Sequence, residues 1–146
     1  MADLVLGAQC VNLSVKRLDE VEAWYVDLFG FRRVSRRRYP EMALEICFLR
    51  LGGFEVELIQ FDQSVESVRF PDPPRHGAQR GITHFGLQVT DLDAVQQRLV
   101  EARVAVLFGP KVFPELGMRL LFVSDPEGNL VKLVERVPPV EVHSGA

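Results

Sequence analysis

The sequence lacks the features that mark several specialised classes of protein. Its 146 residues include two cysteines, Cys10 and Cys47, which are too few for a disulfide-rich scaffold and are typical of a reducing compartment. No apolar run reaches the roughly 18 residues that a membrane-spanning helix needs. No basic segment followed by an apolar one marks a signal peptide. We therefore expect no membrane partner and a cytoplasmic location.

A large excess of either charge is also missing. The net charge is −3, which is too small to indicate nucleic acid or an anionic membrane as a partner. One local concentration exists at residues 32–38 (RRVSRRR). It is either a site for an anionic group or a solvated hairpin edge, where charge discourages aggregation. We favour the hairpin edge, because no aromatic residues interleave the arginines and the rest of the chain is acidic.

An internal repeat is the most informative feature that is present. Residues 10–15 (CVNLSV) align with residues 84–89 (HFGLQV), and residues 53–58 (GFEVEL) align with residues 128–133 (GNLVKL). A repeat of this size indicates that one structural module occurs twice. The second copy does not reproduce the polar residues of the first. Aligned positions of the two copies therefore carry side chains of different chemistry.

Each copy is predicted to fold in the order β-α-β-β-β. Alternating apolar and polar residues predict strands at 9–15 and 82–89, and apolar residues three or four apart predict helices at 18–28 and 91–102. The remaining strands are expected at 31–37, 43–50, 54–61, 104–108, 118–124 and 129–135. The expected fold class is α+β: two βαβββ modules that form an open, cup-shaped mixed sheet with the helices outside.

The boundaries of these elements carry their own signals. Gly30 should end the first helix, and Asp91 should cap the second. Gly52-Gly53 and residues 125–128 (DPEG) should form turns. Tyr25 falls on the apolar stripe of the first helix, so we expect it, rather than Trp24, to be a core residue.

Composition suggests four segments. We expect a first module at 1–61, a linker at 62–80 that is rich in proline and polar residues, a second module at 81–136 and a loose tail at 137–146.

Two motifs inside this frame resemble the vicinal oxygen chelate superfamily, which includes glyoxalase I, extradiol dioxygenases, methylmalonyl-CoA epimerase, fosfomycin-resistance enzymes and bleomycin-binding proteins. The first is residues 24–31 (WYVDLFGF) at the end of the first helix, and the second is residues 125–129 (DPEGN). The resemblance covers roughly residues 9–136. It implies the duplicated βαβββ fold, but it leaves the reaction open because this fold hosts many chemistries.

The resemblance also implies four positions for metal ligands, on the first and last strands of each module. In this sequence those positions are Cys10, Glu57, His84 and Lys132. The usual residues are His on the first strand and Glu on the last. This chain therefore matches the pattern at Glu57 and His84 and departs from it at Cys10 and Lys132.

The two departures weaken the case for a metal. A lysine ammonium has no lone pair to donate, and it puts a positive charge where the metal would sit. Cys10 could bind a softer metal such as zinc as a thiolate, but we expect it to be a small buried hydrophobic residue. Glu57 is either a catalytic group or the partner of Lys132 in an ion pair, and His84 is either catalytic or a hydrogen-bonded cleft residue. We expect no cofactor and disfavour a divalent metal.

Other polar residues are weaker candidates. Arg50 and Arg119 lie on predicted inner strands and could bind a substrate carboxylate or phosphate, but we favour their pointing to the rim. His76 falls in the predicted linker and His143 in the tail, where we expect ordinary solvent exposure.

Three functions follow from the resemblance and its departures. The favoured one is an enzyme of lyase, isomerase or epimerase type that acts on a small oxygenated metabolite, in which Glu57 or His84 moves a proton and Lys132 replaces the missing metal charge. The alternative is a metal-free binding protein of the bleomycin-resistance type. The third is an ordinary metal-dependent glyoxalase or dioxygenase. In each case the expected partner is a small molecule, and we expect a homodimer because small modules leave edge strands and apolar surface to cover.

Overall fold

The fold consists of two units that repeat the same module. The computed structural model describes residues 4–68 and 72–138, and the chain divides into the compact units Met1–Glu66 and Ser67–Ala146. Each unit has the order β-α-β-β-β. The predicted α+β class and the duplication of the βαβββ module are therefore confirmed. None of the helices in the described ranges is long and apolar enough to cross a membrane.

The first unit is a four-stranded open sheet with one helix. Its elements are β1 (Cys10–Ser14), α1 (Leu18–Phe29), β2 (Arg32–Tyr39), β3 (Leu44–Leu51) and β4 (Phe54–Phe61). The strand order is β1-β4-β3-β2, in which β1 runs parallel to β4 and the other pairs are antiparallel. The first and last strands of the module are therefore hydrogen-bonded neighbours.

The second unit repeats this topology. Its elements are β5 (His84–Val89), α2 (Leu92–Glu101), β6 (Phe108–Phe113), β7 (Met118–Ser124) and β8 (Leu130–Arg136). The strand order is β5-β8-β7-β6, again with one parallel pair, β5 with β8. Because the parallel pair is equivalent in both units, residues that the repeat aligns occupy equivalent places in the two sheets.

The boundary signals act as predicted. The Gly30 N–H closes α1 by donating to the Val26 carbonyl oxygen at 3.0 Å, and the Asp91 side chain caps α2 by accepting from the Ala94 N–H at 2.9 Å. Tyr25 on α1 is completely buried. A side chain of that size contributes a few kcal/mol to folding, by the usual figure of about 25 cal/mol per Å² of apolar area.

The arginine run lies on the edge strand β2, as the hairpin interpretation requires, and ion pairs hold three of its members. Arg36 reaches Glu22 at 2.8 Å and Glu45 at 2.6 Å, Arg33 also bonds Glu22, and Arg38 bonds Asp62. Burial raises the pKa of the Glu22 carboxyl, but the two arginines outweigh it and leave that pKa below its ordinary value. These guanidinium groups therefore bind carboxylates of their own unit.

One strand was predicted in the wrong place. The sequence favoured residues 104–108, whereas β6 spans Phe108–Phe113. In the structure Gly109 has a φ of +81° at a register shift in the pairing of β6 with β7, so it forms a bulge inside the strand.

Replacing Gly109 with alanine should destabilise the protein strongly. The added Cβ would lie 2.5 Å from the Leu120 carbonyl oxygen, at a φ that L-residues disfavour. We expect a loss of about 3 kcal/mol or more in the free energy of unfolding, measured by urea titration. Gly52→Ala is the matched control, because Gly52 has a φ of +58° but no atom within 4 Å of an added Cβ. It should lose about 1–2 kcal/mol, and equal losses in the two variants would contradict the steric argument.

Candidate functional site

A cavity of about 260 Å³ lies in the second unit, on the face of its sheet away from α2. Alternate residues of a strand point to opposite faces, so β7 sends one set of side chains toward this cavity and the other set toward the helix. The walls are mainly apolar: Phe108, Phe113, Leu116, Met118, Leu120 and Phe122. Three lining residues can take part in acid–base or ionic chemistry, His76, His84 and Lys132.

His84 stands at the start of β5 and is held through one ring nitrogen. Its Nδ1 lies 2.9 Å from the Thr83 hydroxyl oxygen and 3.2 Å from Nε2 of His76. Its ring meets Phe122 edge to face at a centroid distance of 4.9 Å. Burial lowers the pKa of His84, and the positive charge of Lys132 and the neighbouring His76 lower it further. The imidazole of His84 is therefore neutral at pH 7, with Nε2 available to a ligand.

Lys132 reaches the cavity because its neighbour across the sheet has no side chain. Lys132 on β8 is paired with Gly86 on β5, and a Cβ built on Gly86 would lie 3.2 Å from the lysine Cε. The aliphatic stem thus lies over bare backbone. Among the described residues that line this cavity there is no carboxylate, and Lys132 carries the one fixed charge of that set.

His76 is buried, contrary to the prediction from the sequence. It was expected to be exposed in a linker, but only 8% of its surface is accessible. His76 lies in a short 3-10 helix, Arg75–Ala78. The backbone N–H of His76 donates to the Asp72 carbonyl oxygen at 3.1 Å, and this turn directs the imidazole toward the sheet. Its ring packs against Phe122 at a tilt of 59°, with the ring centroids 5.1 Å apart. Pro73 and Pro74 could have indicated an ordered turn, but no sequence pattern indicates the burial of His76. His143 lies outside the described residues.

Cys10 and Glu57 meet each other in the first unit. The Cys10 thiol donates to a Glu57 carboxylate oxygen at 3.8 Å. Burial, followed by the charges of Glu57 and Glu55, raises the pKa of Cys10, so the thiol keeps its proton. Cys10 is only half-buried and has a polar partner, so the expectation of a small buried hydrophobic residue was wrong. Both cysteines are free thiols, as expected; burial raises the pKa of Cys47 to about 11.

The two candidate arginines are both engaged by carboxylates. Arg50 donates through Nε to Glu55 at 2.9 Å, and Gln9 donates to the same carboxylate at 3.1 Å. Arg119 points to the helix side of its sheet, where it binds Asp93 of α2 at 2.6 Å and lies 3.6 Å from Glu135. Arg119 therefore does not line the cavity, because odd-numbered residues of β7 face the helix. The prediction that Arg119 binds a substrate in this cavity is therefore wrong.

Comparison with known proteins identifies the family to which this fold belongs. The model of the Glyoxalase/Bleomycin resistance protein/Dioxygenase superfamily matches residues 7–133. The chain belongs to this superfamily. The resemblance that the sequence motifs suggested is thereby confirmed.

Individual relatives of this superfamily protein are distant. It is 26% identical over 135 residues to a lactoylglutathione lyase of Arabidopsis thaliana, a match that covers 90% of this chain and 44% of the plant protein. The chain therefore spans less than half the length of that curated relative. A glyoxalase family protein from Enterococcus faecalis has 23% identity and a TM-score of 0.72, with 90% and 99% of the two chains covered. A fosfomycin resistance protein from Listeria monocytogenes has 16% identity and a TM-score of 0.66, covering 88% and 92%. At these identities the solved structures show the fold alone.

The residues present do not fit the divalent metal that the resemblance implies. Over the described ranges, neither unit brings together three or more His, Cys, Asp or Glu side chains as a metal site requires. In the second unit, the ammonium of Lys132 lies near enough to His84 to lower its pKa and would oppose a cation there. In the first, Cys10 shares its proton with Glu57 instead of offering a thiolate. That the four positions form one site stays a prediction.

Proposed function

We propose that this superfamily member is a lyase, isomerase or epimerase that moves a proton on a small oxygenated metabolite without a divalent metal. One observation carries the proposal: the neutral imidazole of His84 lies near the ammonium of Lys132 in a mainly apolar cavity, and the residues at 4–68 and 72–138 contribute no carboxylate to its lining. A neutral imidazole is a base matched to pH 7, and a cation in an apolar site stabilises a developing oxyanion.

The proton transfer uses only groups of the second unit. Nε2 of His84 takes a proton from a carbon next to a carbonyl group, and the electron pair of the C–H bond moves to the carbonyl oxygen. Lys132 stabilises the resulting enolate by charge, in the role that a metal ion fills elsewhere. Return of the proton from Nε2 to a neighbouring atom of the substrate gives isomerisation. Epimerisation follows when water delivers a proton to the opposite face of the planar enolate and His84 releases its own proton to water. No oxidant or other reactant is needed.

Glu57 remains a second candidate for the proton-transfer group. Its carboxylate accepts a hydrogen bond from the Cys10 thiol, so it is placed to interact with a proton donor. We place His84 first because His84 and Lys132 line the same cavity, whereas Glu57 lies in the other unit.

A metal-free binding protein is the competing function, and the apolar lining favours it. Most of the cavity wall is formed by six apolar side chains, those of Phe108, Phe113, Leu116, Met118, Leu120 and Phe122. A wall of this kind suits a hydrophobic ligand. Binding alone, however, gives no reason for a neutral histidine near a lysine.

Deuterium exchange separates the two functions. The protein is incubated in deuterium oxide with 2-oxobutyrate, phenylpyruvate or lactate, and loss of the proton next to the carbonyl or carboxyl group is followed by proton NMR. We expect protein-dependent exchange that survives EDTA. Exchange that EDTA stops and zinc or nickel restores would establish the metal-dependent function instead. Saturable binding without any exchange would establish the binding protein. The homodimer and the cytoplasmic location stay predictions.

A further inference from the structure

Lys132 differs from the other lysines of the chain in its surroundings. The sequence has three lysines, Lys16, Lys111 and Lys132. Lys16 and Lys111 are exposed, whereas Lys132 is half-buried and lines the cavity of the second unit. Within the described ranges, no residue accepts a hydrogen bond from the Lys132 side chain and no carboxylate forms an ion pair with it. The nitrogen of Lys132 is therefore open to a molecule that binds in the cavity.

The stem of Lys132 crosses from β8 onto β5, the strand that carries His84. Its Cε would lie 3.2 Å from a Cβ built on Gly86, and the nitrogen is one bond beyond Cε. Gly86 and His84 are two residues apart on β5, so both belong to the same face of the sheet, where a strand rises about 3.3 Å per residue. The positive charge of Lys132 also lowers the pKa of His84. The amine and the imidazole therefore border the same part of the cavity.

A lysine beside a base in an apolar cavity has the surroundings that imine formation needs. Lysines in apolar pockets act as nucleophiles toward carbonyl carbons, and a site that excludes water protects the product from hydrolysis. The wall of this cavity consists largely of phenylalanine, leucine and methionine side chains. Such a wall selects a carbonyl compound with an apolar body, and the volume of about 260 Å³ limits that compound to a small one.

We propose that Lys132 forms an imine with a small aldehyde or ketone that binds in this cavity. The ammonium passes a proton to Nε2 of His84, and the freed lone pair of the nitrogen attacks the carbonyl carbon. A C–N bond forms, the π electrons of the C=O bond move to oxygen, and that oxygen takes a second proton from the attacking nitrogen. His84 then returns its proton to the resulting hydroxyl group, the C–O bond breaks, and one water molecule leaves. The ammonium and the carbonyl compound have become an iminium and water, so no oxidant or reductant is needed.

The imine goes beyond the proposed function in one respect and rests on it in another. Imine formation does not depend on proton exchange, but its use in catalysis rests on the proposed function. In that function, the charge of Lys132 stabilises an electron pair on the substrate oxygen. In the iminium, the electron pair of the broken C–H bond moves onto the Lys132 nitrogen and gives an enamine. The substrate class narrows to aldehydes and ketones, which excludes lactate.

Reductive trapping tests the proposal on the wild-type protein. The protein is incubated with benzylacetone and sodium cyanoborohydride, which reduces an iminium to a stable secondary amine, and the modified lysines are located by peptide mass spectrometry. Lys132 should be modified at least about tenfold faster than Lys16 or Lys111, because a bound ketone is held beside its nitrogen. An excess of the matching alcohol, which fills the cavity but has no carbonyl group, should slow the labelling of Lys132 alone. Equal rates at the three lysines would overturn the proposal.

Lys132→Arg separates the covalent role from the electrostatic one. Arginine keeps the positive charge, but its guanidinium group stays protonated and offers no amine to a carbonyl carbon. With phenylpyruvate as the substrate, this variant should exchange deuterium no faster than a sample without protein. Exchange at the wild-type rate would overturn the covalent role and leave Lys132 with charge stabilisation alone. Trapping on the wild-type protein decides the proposal even if the variant fails to fold.

The trapping and exchange experiments fail independently. Selective labelling of Lys132 without deuterium exchange would remove the proposed enzymatic function and keep the imine site. Exchange on 2-oxobutyrate without selective labelling of Lys132 would do the reverse.

Discussion

His84→Asn should lower the rate of proton exchange by at least about a hundredfold, since general-base groups typically contribute 10² to 10⁴. The asparagine side chain can still reach Thr83 and His76, the partners of Nδ1, but it has nothing at the position of Nε2. The change therefore removes the base and preserves its local contacts. The rate constant is measured by NMR in deuterium oxide, at substrate concentrations that saturate each protein.

The pH profile distinguishes loss of a base from loss of structure. In wild-type protein, burial together with Lys132 and His76 lowers the pKa of His84 from its ordinary value of 6.5. The active form is the neutral imidazole, so the rate should stay constant through pH 7 and fall only below pH 6.5, as protonation removes the lone pair. The residual rate of His84→Asn should show no such acid limb. An unchanged rate, or a variant that keeps the limb, would assign the proton transfer to another group and direct attention to Glu57.

The same histidine should make folding sensitive to acid. A pKa that is lower in the folded state than in the unfolded one means that the unfolded chain binds the proton more readily. The contribution of neutral His84 to stability is therefore complete above the unfolded pKa of about 6.5 and declines as pH falls below it. As the pH falls, stability should therefore begin to decline near the unfolded pKa, and activity should decline as the pH approaches the lower pKa of the folded protein.

Most of the fold could be predicted from the sequence because repetition and periodicity act along the chain. The alternation in β1 and β5 and the three-to-four spacing in α1 and α2 each reflect one face that must be buried. Helix caps depend on residues close in sequence, so the predictions for Gly30 and Asp91 were confirmed. The predicted position of β6 was wrong. The carbonyl oxygen of Leu120 on the neighbouring strand lies where a Cβ of residue 109 would be, so a glycine fits inside β6, and no local sequence pattern indicates this contact.

The candidate site was harder to predict for the same reason. The repeat and the family resemblance identified His84 and Lys132, which do line one cavity. They could not identify His76, because its burial depends on a turn that brings a proline-rich segment against Phe122. They also could not show that Arg119 faces Asp93 of α2, since the register of β7 decides that. Side-chain partners across a sheet are set by tertiary packing rather than by spacing.

Lys132→Glu should convert the cavity from an anion site into a metal site. Wild-type protein that is purified without chelator and without added metal should contain no stoichiometric zinc, nickel or iron. The substitution replaces an ammonium with a carboxylate beside His84 and His76, so two imidazoles and one carboxylate become available as ligands. We expect nickel affinity, measured by calorimetry, to rise more than about a hundredfold, because a charge about 4 Å from another is worth about 4 kcal/mol at the dielectric typical of protein surfaces.

The matched control is Arg136→Glu, which makes the same change of charge on the same strand but at an exposed position away from the cavity. It should leave nickel binding unchanged. Equal gains in nickel affinity would show that the overall charge, not the site, attracts the metal.

Stoichiometric metal in wild-type protein, with Glu57 and His84 among its ligands, would contradict the metal-free assignment itself. It would mean that the metal displaces the thiol proton of Cys10, which is released to water, and that the side chain of Lys132 points away from the metal. The metal-dependent function would then replace the one proposed here.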